Sequence, residues 1–292
     1  MPWPAEFAEF TAANEPLAPY THLKIGGPAE RFVQPRSVDE LAAVLRQCAA
    51  EGVPLRVLGA GVNLLVRDEP LPGVVLRLSS PAFSTITVDG PRVRAGCGAN
   101  MPALISASAR HGLAGLETLV GIPATVGGAL RYNAGGRGGE IGPLVRRVEV
   151  LDEHGGVDVR ERDELSFSES ASNLDDAVLL AAEFELERDA TDAIVKRMRK
   201  AWIQRKAGQP YSFQAAARLF QNPKGFSAAA LIEQAGLARQ KVGGAEVSER
   251  NANYVVANPG TTARDVLRLM DLLKSKVRER TGIDLEAELV VW

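Results

Sequence analysis

No stretch of 18 consecutive apolar residues occurs in the 292-residue sequence, and cysteine, histidine and aromatic residues are all scarce. The first absence excludes a membrane-spanning helix. Cys48 and Cys97 lie in unrelated patterns, so neither a disulfide framework nor a zinc site is expected. His22, His111 and His154 are scattered, which leaves no metal cluster. There is no excess of one charge: 34 Lys and Arg stand against 36 Asp and Glu, and a net charge of −2 argues against a surface built to coat nucleic acid. Residues 1–20 contain Glu6, Glu9 and Glu15, no basic residue and no apolar core, so no secretory leader is expected. A reduced, cytoplasmic chain is expected, with no membrane or nucleic-acid partner; a monomer is also expected, though composition does not carry that. Glycine is what the chain has in quantity. Ten of its 28 glycines fall between Gly112 and Gly142, so they are placed rather than spread.

The length predicts two domains or three small ones. A lead-in of about 20 irregular or partly helical residues precedes a strand at Glu30–Gln34. Ser37 and Glu40 form a capping pattern ahead of Leu41, Val44, Leu45 and Cys48, and Gly52 fits the helix stop. A strand at Leu55–Leu58 completes either a βαβ unit or an antiparallel pair around the helix. From Gly73 to about Glu187 the pattern is mostly β, with runs at Val74–Leu78, Ile86–Val88, Val145–Leu151 and Val178–Leu186. One helix, around Met101–Ser108, interrupts. Beyond Ala190 the texture turns helical and basic, with seven Lys or Arg and one acid between Ala190 and Arg218. Thr262 caps a helix carrying Val266, Leu267, Met270, Leu273 and Val277, closed by Gly282, and Leu285–Trp292 alternates as a final strand. Boundaries near residues 70 and 203 divide the chain into 1–70, 71–203 and 204–292.

Two glycine segments suit an anionic cofactor. Gly59-Ala60-Gly61-Val62-Asn63-Leu64 is a turn whose backbone can approach a phosphate closely and donate to it. It lacks the third glycine of a dinucleotide fingerprint and the Gly-Lys-Ser of a P-loop, so alone it reads first as a plain tight turn. The denser segment runs from Gly115 through Gly121-Ile122-Pro123-Ala124-Thr125-Val126-Gly127-Gly128 to Asn133-Ala134-Gly135 and Glu140-Ile141. A compact loop of this composition is expected to expose many backbone donors, which suits a pyrophosphate or the edge of a flavin ring.

Taken in order, these strings resemble the UDP-N-acetylenolpyruvoylglucosamine reductase family. The resemblance begins at Ile25-Gly26-Gly27-Pro28-Ala29-Glu30 and takes in both glycine segments. It continues through Gln209-Pro210, Asn222-Pro223, Ala230-Leu231-Ile232-Glu233-Gln234-Ala235-Gly236-Leu237 and Gly243-Gly244-Ala245, and ends on Leu285-Glu286-Ala287-Glu288. It spans essentially residues 20–292 and matches the shorter of the family's two forms. It implies an α+β fold: a two-domain FAD-binding fold of the vanillyl-alcohol-oxidase/PCMH type, followed by a C-terminal α/β substrate-binding domain. It further implies FAD and NADPH as cofactors and UDP-N-acetylglucosamine enolpyruvate as substrate, reduced to UDP-N-acetylmuramate for peptidoglycan.

Carried over residue by residue, the resemblance assigns the cofactor to Gly59, Ala60, Gly61, Val62, Asn63, Leu64, Gly121, Ile122, Pro123, Thr125, Gly127, Gly128, Asn133 and Ile141. It assigns substrate contacts to Lys206 and Asn222. The family glutamate falls on Glu288. The family arginine position, three after Phe167, holds Ser170, and the family proton-donor position, four before Asn222, holds Arg218. One guanidinium and one hydroxyl are therefore kept but exchanged. The expectation is a catalytic set of Glu288, Arg218 and Ser170. A flavin- or UDP-sugar-binding homologue with altered or lost catalysis, and an FAD-linked oxidase of another sugar, are the rival readings.

Overall fold

A computed structural model describes residues 3–136, 138–210 and 215–292. The basic segment 196–218 is therefore described only outside 211–214. The chain forms two compact units. The first comprises Met1–Ala13, Glu30–Ala60 and Pro72–Ile203; the second comprises Asn14–Ala29, Gly61–Leu71 and Gln204–Trp292. Its content of helix and strand is mixed, as an α+β fold requires.

In the first unit, the helix Val38–Glu51 begins where the Ser37 side chain accepts from the Glu40 N–H, and it ends at Gly52 in the left-handed region, φ 62°. Leu41, Val44, Leu45 and Cys48 make one buried face. That face joins a core with Phe7, Phe10, Val74 and Leu76. The adjoining sheet has the order Thr11–Pro16, Pro28–Val33, Leu71–Leu76, Leu55–Val57. The strands flanking the helix are not neighbours, because Leu71–Leu76 lies between them, parallel to Leu55–Val57.

A second sheet has the order Val157–Glu161, Val145–Leu151, Val178–Glu185, Arg92–Gly96, Ile86–Asp89, with antiparallel pairings throughout. Met101, Leu104 and Ile105 of the helix Met101–Arg110 pack into its core, together with Val126, Ala129 and Leu130.

The second unit is built on an antiparallel sheet ordered Ala216–Arg218, Tyr254–Ala257, Ala245–Val247, Lys241–Val242. The helix Ala263–Thr281 starts in a full capping box between Thr262 and Asp265 and stops at Gly282, φ 72°. Its buried stripe is Val266, Leu269, Met270, Leu273 and Val277, with Leu267 only partly buried.

Three local expectations change. The first 20 residues contain the strand Thr11–Pro16 and a short 3-10 helix whose Phe7 and Phe10 are buried. The dense glycine segment contains the helix Val126–Arg131, in which core burial and a Thr125 cap outweigh the poor helix propensity of two glycines. At the C-terminus only Val290–Val291 forms a strand, parallel to Leu64–Leu65. Among the described residues, no helix is long and apolar enough to cross a membrane, and no group of His, Cys, Asp and Glu could hold a metal ion.

Candidate active site

The first unit contains a cavity of about 510 Å³, a size suited to a small-molecule or cofactor site. Gly59, Ala60, Thr125, Gly127 and Gly128 line it, which brings the two glycine segments to one place. The wall admits no bulk. A Cβ on Gly59 would lie 2.6 Å from Thr125 Oγ1, and one on Gly98 would overlap the Leu78 carbonyl oxygen. Arg77 and Arg131 line the cavity and no carboxylate does, so its charge favours an anion. The Arg131 guanidinium is fixed by the Leu174 carbonyl (2.6 Å) and the Asp176 carbonyl, and its burial pulls its pKa below the ordinary value. The Cys97 thiol, also on the wall, is pushed up by burial and stays protonated.

The two segments contribute differently. The N–H groups of Val126, Gly127 and Gly128 are consumed internally, by Ala99 O (2.8 Å), Cys97 O (2.9 Å) and Thr125 Oγ1 (3.3 Å). The expectation that this segment exposes many donors therefore does not hold at its helix start. Its glycines serve close approach: a Cβ on Gly127 would stand 3.1 Å from Cys97 Cβ. The N–H groups of Gly59 and Ala60, by contrast, make no hydrogen bond among the described residues. Backbone donors, small residues and two cations fit the diphosphate of FAD.

Other assigned positions sit elsewhere. Asn133 is 3% exposed at φ 44° and its side chain is fully engaged. It donates to Glu140 Oε2 (2.6 Å) and Ser168 O (2.9 Å) and accepts from the Gly142 N–H (3.0 Å). Ile141 is core, and Ile122 packs against the same cluster. Gly121, at φ 85°, and Pro123 do not line the cavity. Gly61 begins the second unit's share of the first motif: φ is 61° and its carbonyl accepts from the His22 N–H (2.9 Å). Val62 is partly buried, and Leu64 is buried and paired with Val290.

In the second unit, Arg218 ends the strand Ala216–Arg218 opposite Tyr254. Its Nε lies 3.1 Å from Glu288 Oε2, and Nη1 donates to Oε1 at 3.4 Å. Glu288 is 12% exposed at its side chain and Arg218 27%, so the pair is substantially shielded. Backbone bonds lock both partners. Leu219 O accepts from the Glu288 N–H (2.9 Å), and Glu286 O accepts from Gln221 N–H (3.0 Å). Asn253, buried at 3%, both accepts from the Phe220 N–H (3.0 Å) and donates to the Phe220 carbonyl (2.7 Å).

Ser170 belongs to the first unit. It occupies the two-residue tip between Phe167–Ser168 and Ala171–Ser172, at φ 57°. Such a conformation costs a non-glycine residue about 1 kcal/mol. Asn222 is exposed and its Oδ1 accepts from the Ala228 N–H (3.0 Å), a turn role at the start of the helix Ala228–Gln234. Lys206 stands in the last turn of the helix Thr191–Gly208, where its carbonyl accepts from Arg250 Nη1 (3.0 Å).

Sequence reasoning did not select Gly98, Asn100, Arg131 or Asn253. Gly96-Cys97-Gly98 was a visible signal for the cavity wall. Nothing in the local pattern marks Asn253, whose role depends on a strand 33 residues away in sequence.

The chain matches the family described as "FAD binding domain" over residues 29–159. It matches "UDP-N-acetylenolpyruvoylglucosamine reductase, C-terminal domain" over residues 209–292. It is 40% identical over 280 residues to UDP-N-acetylenolpyruvoylglucosamine reductase 2 of Symbiobacterium thermophilum, covering 95% of this chain and 91% of that protein. To the UDP-N-acetylenolpyruvoylglucosamine reductase of Bacillus subtilis it is 37% identical, covering 96% and 93%. The crystal structure of UDP-N-acetylenolpyruvylglucosamine reductase from Thermus caldophilus superposes with a TM-score of 0.83 at 36% identity, covering 97% of this chain and 98% of that one. Cavity, corner and matches thus converge, and the chain belongs to the UDP-N-acetylenolpyruvoylglucosamine reductase family.

Proposed function

We propose that this protein is an FAD-dependent oxidoreductase that reduces UDP-N-acetylglucosamine enolpyruvate to UDP-N-acetylmuramate, with NADPH as reductant, in peptidoglycan precursor synthesis. Residues 1–70 and 71–203 form the FAD-binding subdomains, and 204–292 the substrate domain. The Arg218–Glu288 ion pair carries the reading: a shielded guanidinium and carboxylate held by backbone bonds at the family's catalytic positions.

The Gly59 and Ala60 N–H groups, Thr125 and the wall of Gly127 and Gly128 would hold the cofactor, and Arg77 and Arg131, which line the same cavity, would offset its negative charge. When bound and reduced, FAD supplies a hydride to the substrate's enolpyruvyl double bond. Negative charge then accumulates on the adjacent carbon and its carboxylate. Arg218 meets that charge, since a guanidinium pairs with a carboxylate through directed N–H bonds. Glu288 holds Arg218 at Nε and Nη1, leaving the rest of the guanidinium for the substrate. Arginine stays protonated and is a poor acid. The proton that completes the addition is assigned to the Ser170 hydroxyl, the one hydroxyl kept at the exchanged positions. Lys206 and Asn222 serve the nucleotide end of the substrate.

The test is an absorbance spectrum of the purified protein, followed by NADPH with and without the enolpyruvyl substrate. The expected result is a flavin spectrum, bleached by NADPH and restored on adding substrate. Protein that fails to take up FAD overturns the reading. Bound flavin without turnover assigns the chain instead to a homologue with lost catalysis, which the Ser170/Arg218 exchange favours as the second reading.

A further inference from the structure

We propose that Asn63 is a positioning residue for Glu288, acting on its main chain rather than on the cofactor; this rests on the reductase reading above. The segment that ends in Glu288 changes partners as it runs. At Glu286 and Glu288 it bonds to the strand end around Leu219 and Gln221, and Ala287 bridges Phe220. From Val290 onward it bonds instead to residues 63–65: Val290 N–H donates to Asn63 O (3.1 Å) and Trp292 N–H to Leu65 O (2.9 Å). The Glu288 carbonyl falls where one ladder stops and the other has not begun. A shielded carbonyl without a donor is unfavourable. The donor comes from a side chain: Asn63 Nδ2 lies 2.7 Å from Glu288 O.

The orientation of that amide follows from its partner. Reversed, it would set two acceptors against each other. In the orientation present, Asn63 Oδ1 is buried with no hydrogen-bond partner among the described residues. The fold thus carries an unpartnered acceptor in order to donate at Glu288. With its N–H on Leu219 O and its carbonyl on Asn63 Nδ2, Glu288 is fixed on both sides of its α-carbon. The direction in which its carboxylate reaches Arg218 is fixed with it.

The experiment uses holoenzyme carrying Asn63→Asp, which keeps the shape but cannot donate, and Asn63→Ala, which removes the group. Four quantities are read: flavin per protein, kcat and KM for the enolpyruvyl substrate, and the thermal-unfolding coupling between Arg218→Met and Glu288→Gln in each background. The expected result is unchanged flavin content, kcat lower by at least about 30-fold and KM within about twofold, the pattern of a lost transition-state contact. The Arg218–Glu288 coupling should fall by more than about half when Asn63 is replaced. Loss of flavin, or a raised KM with kcat kept, assigns Asn63 to ligand binding and overturns the proposal. So does a coupling that survives intact. Should the unsubstituted protein lack turnover, the reductase reading fails, and the coupling alone still decides the role of Asn63.

Discussion

The cavity around Gly59 is walled largely by main chain and small residues, whereas the Arg218–Glu288 corner consists of two long side chains on clamped strand ends. The two also differ in how they resist change. At the cavity an added methyl group collides with backbone, as at Gly98 against Leu78 O. At the corner the backbone is held by Leu219, Asn253 and Asn63, so the side chains can be exchanged while the frame stays. A site that binds through its backbone ties ligand affinity to folding. A site that acts through side chains on a fixed backbone separates chemistry from folding.

The largest expected effect tests that separation. Glu288→Gln keeps size and hydrogen bonding but removes the charge that holds Arg218. It should lower kcat by about 10³-fold, roughly 4 kcal/mol of barrier, in the range seen when one charge-stabilising group is lost. Flavin content should stay near that of the parent, and stability should fall only by what the shielded Arg218–Glu288 pair contributes. Gly98→Ala is the converse. Its Cβ meets a carbonyl that belongs to the protein's own backbone, so stability should fall by about 3 kcal/mol, with flavin lost in parallel. Urea titration and flavin release on both variants measure this. If Glu288→Gln strips the flavin, or Gly98→Ala keeps stability and flavin, the contrast between the sites fails.

A smaller effect concerns the exchanged serine. Ser170 lies at φ 57° on a hairpin tip, a conformation glycine adopts freely. Ser170→Gly should therefore raise stability by up to about 1 kcal/mol while lowering kcat about tenfold or more through loss of the proton donor. Ser170→Ala should lower kcat equally without the gain in stability. If both variants keep full turnover, Ser170 has no part in the chemistry, and Arg218 stands alone at the exchanged pair.

The cavity was legible in the sequence because close backbone approach demands glycine, and glycine is visible. Gly59, Gly127 and Gly128 were found on that ground, and all three line the wall. What the composition did not reveal was which glycines donate. Val126–Arg131 forms a helix whose first N–H groups are already satisfied, and that depends on Cys97 and Ala99 in another strand–helix connection. The corner was legible only through the family pattern, since nothing in the alternating tail alone pairs Glu288 with Arg218. Its irregular strand, switching from the 219–221 segment to residues 64–65, follows from pairings 69 residues (Leu219 with Glu288) and 226 residues (Leu64 with Val290) apart in sequence. Asn63 was assigned to the cofactor by the resemblance; in the structure it belongs to the second compact unit, where its side chain donates to Glu288 O (2.7 Å).

The smallest expected effect separates the two units by pH. In the second unit, His22 has its imidazole pKa lowered from the usual 6.5, first by burial and then by repulsion from Lys24. Unfolding releases it to titrate near 6.5, so just below that pH the unfolded chain binds more protons than the folded one. Stability from this source is complete above 6.5 and is lost as pH falls toward the folded pKa. The first unit has the opposite sensitivity. Burial raises the Cys48 thiol from the usual 9.0 to about 11, and pushes Cys97 up as well. Above 9 the unfolded thiols ionise while the folded ones do not, so stability present below 9 is lost as pH rises through the folded values. Urea midpoints at about pH 5.5, 7.5 and 9.5 enter both windows from the plateau between them. His22→Gln should flatten the decline between the first two without altering the third relative to the second. Cys97→Ser should flatten the decline between the last two and leave the acid side unchanged. A His22→Gln variant as acid-sensitive as the parent would place the acid weakness in other groups, and the division by pH between the two units would not stand.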